Sequence, residues 1–477
     1  MGVRTRTFIA YLVLFLCSSI LVTSPAAARY QTIIPSILEA QSLLEEGITQ
    51  FERGEYATAQ ATFDRILNEF PSNSATTTAV IFAAKSAYRR DQFESTRTYL
   101  NGFTIKYGSS SYVSEARLLD ELAFEATKYR TEDPFLLGIL LSLNRQERAQ
   151  TQELFNGIRL AIDDHNRDSR NRPVRMIFRD INGGASATRR AMRELTTQKV
   201  SAVIGTLFSE DALAAAEEAE KAKTLFLAPL ATDDKLVAGR SYTFQANPSM
   251  YVRGAAMARF AVLGLRLDSI AVILNADERK ISERQADGFL EEASRLGATI
   301  SMVTVLPNES SFYTLSDVLP PDTLDSANAV YIPLASRNPV AAAGAILSNL
   351  DRMNPYIRVI GNEGWQDLPQ KTHASSYLTT YGDDFRIDPD SEPYQSFTQA
   401  YKNLADIPPD RLGVTGYDVT TFLLEALDET EDENLPNTFR SKGPFQGLGL
   451  RIHFDGANVN QALFYLRYRD NLLALIR

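Results

Sequence analysis

The stretch that decides the fold is residues 199–232, which read KVSAVIGTLFSEDALAAAEEAEKAKTLFLAPLAT. Two short apolar runs, 201–204 and 224–227, flank an alanine- and glutamate-rich segment, 209–223, whose composition favours a helix. A strand, a helix and a strand of these lengths predict a right-handed parallel crossover. Ligands of open parallel sheets lie beyond the carboxyl ends of the strands. We therefore expect a small polar ligand near Ser209, which we place as the helix N-cap.

The N-terminus has the pattern of a secretory leader. Two arginines precede an apolar run and a small-residue tail that ends at Ala28, which predicts a signal peptide, 1–28, cleaved after Ala28. The apolar run is too short for a permanent anchor, and no later run is long enough to span a bilayer. Cys17 is the only cysteine, and Leu16 before it stands where a lipoprotein leader has a small residue. We expect Cys17 to leave with the leader, and the protein to be periplasmic or secreted.

The charge balance argues against two classes of partner. The net charge is −10, and loss of the leader, which holds two arginines and no acids, makes it −12. An acidic exported chain is a poor match for nucleic acid or for an anionic lipid surface. Without a cysteine after the leader, the exported chain has no disulfide framework.

Residues 29–131 have a helical pattern with a long period. The sequence RGEY at 53–56 recurs as RDQF at 90–93, a spacing of 37 residues. The first unit resembles a tetratricopeptide repeat, and the matching residues are Gly47, Gly54, Tyr56, Ala59, Phe63 and Pro71. The resemblance implies paired helices with a concave face that docks a protein. A helical spacer that packs on the next domain is the other interpretation, and the pattern leaves both open.

After a polar break at 131–134, strands and helices alternate in two successive runs. The predicted strands are 135–141, 174–178, 201–204, 224–227, 242–244, 269–274, 299–303, 329–332 and 357–360. Amphipathic helical stretches lie between most of them, for example 151–166. Two such runs predict two α/β lobes.

Six pieces of this body match a known family in its order. They are NGIRLAIDDHN (156–166), VSAVIGTLFSEDALAAA (200–216), FLAPLAT (226–232), VIGNEGW (359–365), TGYDVTTFLLEAL (415–427) and GPFQGLGLRIHFDGANV (443–459). Together they make residues 134–477 resemble the type 1 periplasmic solute-binding proteins, the branched-chain amino-acid-binding branch in particular.

The resemblance implies an α/β, two-lobed type 1 periplasmic-binding fold, with parallel sheets, three hinge crossings and a ligand between the lobes. Lobe 1 would comprise 135–247 and 380–442, and lobe 2 would comprise 248–379 and 443–477.

The resemblance also implies ligand-binding residues on both lobes. They are Ser209, Leu230, Ala231, Thr232, Glu363 and Trp365. The hydroxyls and backbone of the first four would hold a ligand carboxylate, since hydroxyl and N–H groups satisfy a buried anion. Glu363 would take a ligand ammonium, and Trp365 would wall the cleft.

Each of these residues also has a purely structural interpretation. Ser209 serves as a helix cap, with Glu210 and Asp211 satisfying the helix dipole, Glu363 lies in a solvated loop, and Trp365 fills a core. The sequence also differs from the amino-acid binders at two places: Gln245 replaces an arginine, and 281–282 replaces a Tyr-Gly pair.

No catalytic constellation is recognisable. The three histidines are far apart, and the chain has neither a phosphate-binding loop nor a nucleophile elbow. We predict a non-enzyme with no cofactor and no metal.

Two functions remain open. The first is an exported solute-binding protein that closes over a small polar ligand, an amino acid or similar, for transport or sensing, with an ATP-binding cassette (ABC) transporter in the membrane as its partner. The second follows from the two-part layout, which also resembles outer-membrane lipoprotein activators of peptidoglycan synthases. There the protein would be a regulator or scaffold of the cell envelope whose helical module docks a cell-wall synthase.

Overall fold

The computed structural model describes residues 34–128, 133–275, 279–320, 322–430 and 434–476. The predicted signal peptide, its cleavage after Ala28 and the fate of Cys17 lie outside the described residues. In the part of the chain that is described, no helix is long and apolar enough to cross a membrane. The chain forms an N-terminal helical module followed by an α/β body with two large sheets, so the predicted fold class is confirmed.

The helical module consists of helices that follow one another at short turns. They are α1 (Leu38–Glu52), α2 (Tyr56–Glu69), α3 (Thr76–Arg89), α4 (Phe93–Leu100), α5 (Phe103–Lys106) and α6 (Val113–Glu125). α1 and α2 pack closely because Gly47 has no side chain: a Cβ there would lie 2.6 Å from Cε1 of Phe63. The aromatic ring of α2 fills the space that this glycine leaves.

The 37-residue period reappears in the backbone at the turns after α1 and α3. Gly54 and Asp91, one period apart, both have positive φ, +84° and 57°. In each turn an N–H bonds the carbonyl five residues earlier at 2.9 Å, from Glu55 in the first and from Gln92 in the second. Glycine and aspartate are residue types that tolerate this left-handed conformation.

The first lobe of the body is built on a five-stranded parallel sheet. Its elements are β1 (Phe135–Leu141), α7 (Arg148–Arg167), β2 (Val174–Asp180), α8 (Gly184–Thr197), β3 (Ala202–Gly205), α9 (Ser209–Ala222), β4 (Leu225–Ala228) and β5 (Thr243–Gln245). The strand order is β2-β1-β3-β4-β5. The strands are almost fully buried because helices cover both faces, which explains their continuous apolar sequences.

The second lobe is built on a seven-stranded sheet. Its elements begin with α10 (Met250–Arg259), β6 (Ser269–Asn275), α11 (Arg279–Arg295), β7 (Thr299–Leu306), α12 (Leu315–Val318), β8 (Ala329–Ile332), α13 (Pro339–Met353), β9 (Arg358–Gly361), α14 (Lys371–Ser376) and β10 (Thr380–Asp383). Every strand predicted in the body is therefore present, with ends that differ by a few residues.

The remainder of the chain returns to the first lobe and then to the second. Its elements are α15 (Glu392–Ala405), α16 (Arg411–Asp428), α17 (Leu435–Ser441), β11 (Phe445–Gln446), β12 (Arg451–Ile452), β13 (Phe464–Arg469) and β14 (Leu472–Ile476). Helices α15 and α16 pack on α7. Strands β13 and β14 extend the second sheet in antiparallel fashion, giving the order β14-β13-β10-β9-β8-β6-β7.

The chain crosses between the lobes later than predicted at the second and third crossings. Residues 380–383 were expected in lobe 1, yet β10 pairs with β9 and β13 in the second sheet. Residues 443–454 were expected in lobe 2, but the β11–β12 hairpin packs in the core of the first lobe. The reason is aromatic: the ring of Phe454 lies 5.2 Å from that of Phe244 on β5.

The helical module packs on the first lobe and shares its core. Tyr88, Phe103 and Leu119 belong to one buried cluster with Phe135 and Phe155 of the body. Of the two interpretations of the module, the structure shows the packing on the next domain. Whether the module also docks a partner stays a prediction.

A buried ionic network reinforces this packing. Arg179 of β2 is fully buried, with nitrogens 3.2 Å from Asp91 of the module and 3.2 Å from Glu194 of α8. Lys85 of α3 lies 3.0 Å from Asp180 and 2.9 Å from Glu115. A buried charge is costly without a partner of opposite charge, and these partners belong partly to the module and partly to the lobe. The network therefore fixes the orientation of the module on the first lobe.

Candidate functional site

The first half of the candidate site is the loop after β4 together with the start of α9. Because β3 and β4 are parallel neighbours, the loops that follow them meet at one edge of the sheet. The hydroxyl of Ser209 accepts a hydrogen bond from the N–H of Thr232 at 3.4 Å. The structure therefore brings together the two residues predicted to hold a ligand carboxylate, and both are partly exposed.

Two amide side chains from the hinge hold the backbone of this loop. Gln245 donates through Nε2 to the carbonyl of Ala231 at 2.8 Å, and Asn247 donates through Nδ2 to the carbonyl of Leu230 at 3.1 Å. Gln245 is fully buried, so the residue that replaces the arginine of the amino-acid binders has a local task here. The loop that would meet a ligand is anchored to the crossing between the lobes.

The start of α9 differs from the prediction by one residue. The N-cap is Phe208, which has extended backbone, and Ser209 is the first helical residue. The Ser209 hydroxyl ties the helix to the Thr232 loop instead of capping it. Asp211 in the first turn accepts a hydrogen bond from the Thr188 hydroxyl at 3.2 Å, and burial raises the pKa of its carboxyl.

The second half of the site is a short 3₁₀ turn, Glu363–Trp365, directly after β9. Asn362 holds this turn by accepting the N–H of Gly364 at 3.2 Å and donating to Gln285 at 2.9 Å. The Glu363 side chain is 33% exposed, and its Oε1 lies 3.4 Å from Nη1 of Arg253. The acid predicted to take a ligand ammonium therefore faces a guanidinium in this structure.

Trp365 lies in the core of the second lobe. Its side chain is fully buried, and its indole N–H donates to the carbonyl of Ile332 at 3.0 Å. A Cβ on Gly361 would lie 2.4 Å from its ring, so the indole packs directly on the backbone of β9. These contacts support the packing interpretation of Trp365, and they correct the expectation that it walls the cleft.

Arg253 of α10 is the centre of a buried charge cluster at the junction of the lobes. It pairs with both oxygens of Asp384, at 3.1 and 2.8 Å, and donates to Oδ1 of Asn247 at 2.9 Å. Burial alone would lower the pKa of Arg253, but the carboxylates of Asp384 and Glu363 outweigh that effect and raise it. Arg411 donates to the same Asp384 at 2.5 Å. The bidentate pair of Arg253 with Asp384 is the strong form of an arginine–carboxylate contact.

The acid next to Asp384 behaves differently. Burial raises the pKa of Asp383 to about 6, and the charges of Asp384 and Glu363 add to that effect although the N–H of Phe385 opposes it. Two guanidinium groups, Arg253 and Arg411, thus face three carboxyl groups. Once Asp383 ionises, this junction has one more negative than positive charge, which suits a ligand that brings a positive charge.

Sequence comparison identifies the fold that holds this junction. A family model described as periplasmic binding protein matches residues 146–462, more than half of the chain. The chain belongs to the periplasmic binding protein family. Among curated proteins, none matches the chain.

Solved structures share the periplasmic binding protein fold. One from Rhodospirillum rubrum, named as a candidate branched-chain amino acid ABC transporter, has a TM-score of 0.58 and 20% identity over 72% of this chain and 100% of that one. An ABC transporter substrate-binding protein from Sphaerobacter thermophilus has a TM-score of 0.50 and 18% identity, over 72% and 96%. At these identities the likeness establishes the fold alone.

In this periplasmic binding protein a salt bridge joins the two lobes beside the candidate site. Arg284 of α11 donates to Asp234, which begins the turn after the Thr232 loop, at 2.7 and 3.2 Å. Both side chains are partly exposed, at 45% and 32%. The two lobes are therefore in contact across the cleft in this conformation.

The sequence interpretation missed the residues that connect the halves of the site. They are Asp234, Asn247, Arg253, Arg284, Asp383 and Asp384. Asp383 and Asp384 lie at the end of β10, a strand that the sequence did not predict, so their place at a strand end was not recognisable. Arg253 and Arg284 could not be recognised from the sequence. An arginine in an amphipathic helix usually faces solvent, and only the relative position of the two lobes shows that these two contact acids.

Proposed function

We propose that this protein is an exported solute-binding protein that closes its two lobes over a small polar ligand carrying a positively charged amine, an amino acid or a similar compound. The observation that carries this proposal is the junction at which, among the described residues, the three acids Glu363, Asp383 and Asp384 face the two guanidinium groups of Arg253 and Arg411. Membership of the periplasmic binding protein family supports solute binding rather than catalysis.

The first lobe offers the chemistry that an anionic group requires. The Ser209 hydroxyl and the Thr232 N–H meet at 3.4 Å, and Gln245 and Asn247 hold the carbonyls of Ala231 and Leu230, which leaves hydroxyl and N–H groups of this loop for a ligand carboxylate. Hydrogen bonds to a charged acceptor contribute about 1.5–3 kcal/mol each. A carboxylate held here would lie on the opposite side of the cleft from Glu363.

The second lobe offers the complementary charge. Glu363 meets Arg253 through a single contact of 3.4 Å and is partly exposed, whereas Asp384 is buried in a bidentate pair. An ammonium can therefore reach Glu363 more readily than Asp384. In this proposal Glu363 is the ligand contact and Asp384 holds Arg253 in place.

A membrane partner completes the proposal. Both similar solved structures are named after ABC transporters, one of them as a substrate-binding protein, and this supports delivery of the solute to such a transporter. Docking of a partner such as a cell-wall synthase by the helical module stays a prediction that binding measurements with purified partners would test.

Binding is tested with a thermal-shift screen of the protein against amino acids, followed by calorimetry on each compound that stabilises it. A ligand at 100 times its dissociation constant stabilises by about 2.7 kcal/mol. Each hit is compared with its deaminated and its amidated analogue. We expect loss of the amine to weaken binding by about tenfold or more, because the ion pair with Glu363 is lost.

The matched variants are Glu363→Gln and Glu392→Gln. Both remove one acid, but Glu392 is exposed on α15, away from the site. We expect tenfold weaker binding for the first and unchanged binding for the second. A screen without any hit, or hits that ignore both the amine and Glu363, would overturn the proposal.

A further inference from the structure

One helix of the second lobe contacts both halves of the candidate site. Arg284 and Gln285 are neighbours on α11. Arg284 donates from Nη2 and Nε to Oδ2 of Asp234, at 2.7 and 3.2 Å, in the turn that follows the candidate loop of the first lobe. Gln285 accepts from Nδ2 of Asn362 at 2.9 Å, and Asn362 holds the 3₁₀ turn of the second lobe. Two consecutive side chains of α11 are therefore tied to the two loops that carry the predicted ligand contacts.

The contacts on the inner side of α11 are buried and rigid. Gln285 is fully buried, and Asn362 is 5% exposed. The backbone of α11 also lies against α10, since a Cβ on Gly254 would lie 1.8 Å from the carbonyl oxygen of Gln285. Asn362 in turn accepts the N–H of Gly364 at 3.2 Å, inside the turn that begins at Glu363. This turn and α11 therefore form one body, so a displacement of α11 also displaces Glu363.

The outer side of α11 presents a guanidinium that its own lobe already holds. Nη1 of Arg284 lies 3.0 Å from a carboxylate oxygen of Asp287, and the guanidinium carbon lies 5.4 Å from the centre of the Tyr251 ring. The Tyr251 hydroxyl donates to Glu291 at 2.6 Å, which orients the ring. A side chain held in this way loses little conformational freedom when it contacts Asp234, and such preorganisation strengthens the contact.

The position of this salt bridge distinguishes it from the other contacts at the junction. Arg253 and Arg411 contact Asn247 and Asp384, but these two partners belong to the hinge crossings themselves. Arg284 and Asp234 lie in elements of different lobes, away from the crossings. Their contact therefore forms only when the lobes approach each other, whereas contacts to a crossing persist as the hinge bends.

We propose that Arg284 is a latch residue that holds the closed form by binding Asp234, and that closure through this contact brings Glu363 over the loop that carries Thr232. Arg284 is then a positioning residue, which acts on the ligand contacts without touching the ligand. The inference rests on the proposed function for its purpose, since a latch serves to retain a solute, but the contact itself joins protein groups alone.

The test measures the distance between the lobes in the full protein, with no solute added. Cys17→Ser leaves the chain without a cysteine. Ala222→Cys on α9 and Ser348→Cys on α13 then supply one exposed spin-label site on each lobe. Pulsed electron paramagnetic resonance gives the populations of the closed and the open form from the distance between the two labels.

We expect Arg284→Gln to lower the closed-to-open ratio by about two- to fivefold, which is the range of an exposed ion pair. Asp234→Asn should have the same effect, and the double variant should be no more open than either, because each single change already removes the contact. The control is Arg295→Gln, since Arg295 lies on the same helix and is 64% exposed but pairs with Glu292 of α11 itself. It should leave the ratio unchanged, and about 1 M salt should act on the natural protein as Arg284→Gln does.

Three results would overturn the latch. The natural protein and Arg284→Gln could give the same distances, the effects of Arg284→Gln and Asp234→Asn could add, or Arg295→Gln could open the lobes as much. The first means that the bridge does not hold the lobes, the second that the two residues act separately, and the third that only the net charge matters. A failure of the proposed function would instead appear as a solute screen without hits, and it would leave these distances unchanged.

Discussion

Asp383 is the residue of the junction whose pKa is raised by burial and by the acids beside it. It is the last residue of β10. The carboxylates of Asp384 and Glu363 raise its pKa, and the guanidinium of Arg411 lowers it. The protonated carboxyl is neutral and adds no charge to the junction. The ionised carboxyl adds a third negative charge beside Asp384 and Glu363, in a place where little water can solvate it. Burial and repulsion therefore act in the same direction on its pKa.

This gives a prediction for stability against pH. The pKa of Asp383 is raised from 3.8 to about 6 on folding, so between these values the folded state keeps a proton that the unfolded state has lost. Stability then falls as pH rises through this window and the contribution is constant above it. Asp383→Asn removes this titration. The free energy of unfolding of the variant, relative to that of the natural protein, should therefore rise by about 2–3 kcal/mol between pH 4 and pH 7.

The measurement is urea unfolding of both proteins across this pH range. Taking the difference between them cancels the other titrating groups, which are common to both. A difference that does not change with pH would show that Asp383 has an ordinary pKa in the folded protein.

Arg253 gives the second prediction at this scale. Its side chain is 9% exposed and pairs with Asp384, which is 3% exposed. Arg253→Met leaves that carboxylate buried beside Arg411 alone, and we expect a loss of about 3–5 kcal/mol in the free energy of unfolding. The control is Arg411→Met, because Arg411 contacts the same carboxylate but is 51% exposed. Loss of Arg411 leaves Asp384 in its bidentate pair with Arg253, and a half-exposed guanidinium contributes only about 1 kcal/mol, so equal losses in the two variants would contradict the assignment.

The residues of the site were predictable from the sequence only where two strand ends meet. Ser209 and Thr232 follow neighbouring parallel strands, so their approach follows from the strand order. The contact of Arg253 with Asp384 joins residues 131 positions apart through a hinge crossing, and no local pattern encodes it. Trp365 was assigned to the cleft because it is the single tryptophan and stands near Glu363 in the sequence. In the structure its indole is buried in the core and donates to the carbonyl of Ile332.

At the scale of elements, each lobe contains one pair of helices in unusually close contact. In the first lobe α7 meets α16 at Gly157, where a Cβ would lie 1.9 Å from the carbonyl oxygen of Gly413. In the second lobe α10 meets α11 at Gly254, where a Cβ would lie 1.8 Å from the carbonyl oxygen of Gln285. The neighbouring atoms are backbone, so they cannot move aside as a side chain would.

Gly157→Ala should therefore separate α7 from α16 and destabilise the first lobe by about 1–3 kcal/mol or more. The comparison is Gly443→Ala, because a Cβ at Gly443 meets nothing within 4 Å and its φ is not positive. That variant should stay within about 0.5 kcal/mol of the natural protein. Chemical unfolding measures the stability of both variants. If Gly157→Ala left the free energy of unfolding unchanged, α7 and α16 could move apart without loss of stability, and the prediction would be wrong.

Elements were predictable where burial is continuous. Strands such as β1, β3, β4, β6 and β8 have apolar runs because helices cover both faces of the sheets, and their existence follows from the sequence. The edge strand β7 is partly exposed and was predicted from its β-branched residues instead. The later strands were not predicted: β10 contains Gly382 and Asp383, and β11 and β12 have two residues each. Their places depend on Phe454 and Tyr381 finding partners far along the chain, which is why the lobe boundaries at 380 and 443 were wrong.

For the whole molecule, the main consequence of the structure is that the helical module is two layers with different attachments. Helices α1 and α2 form their own cluster with one face of α3, including Ala40, Phe63 and Ala79. Helices α3 to α6 contribute Tyr88, Phe103 and Leu119 to the core of the first lobe. The outer layer packs its apolar side chains on the inner one and meets the first lobe through polar contacts, such as that of the Tyr56 hydroxyl with Glu194 at 2.6 Å, whereas the inner layer shares the core of the body.

This arrangement predicts how the protein responds to truncation. A chain that begins at residue 133 lacks α3 to α6, so apolar surface of α7 and the first sheet is exposed and Arg179 loses Asp91. A chain that begins at residue 72 keeps these helices and loses only the outer layer. We expect the first to bind an apolar dye and to aggregate on mild heating, and the second to unfold cooperatively at a somewhat lower temperature. Since an independent binding domain would tolerate both cuts equally, a folded, monodisperse chain from residue 133 would show that the module is only an appendage and that its shared core with the lobe contributes little.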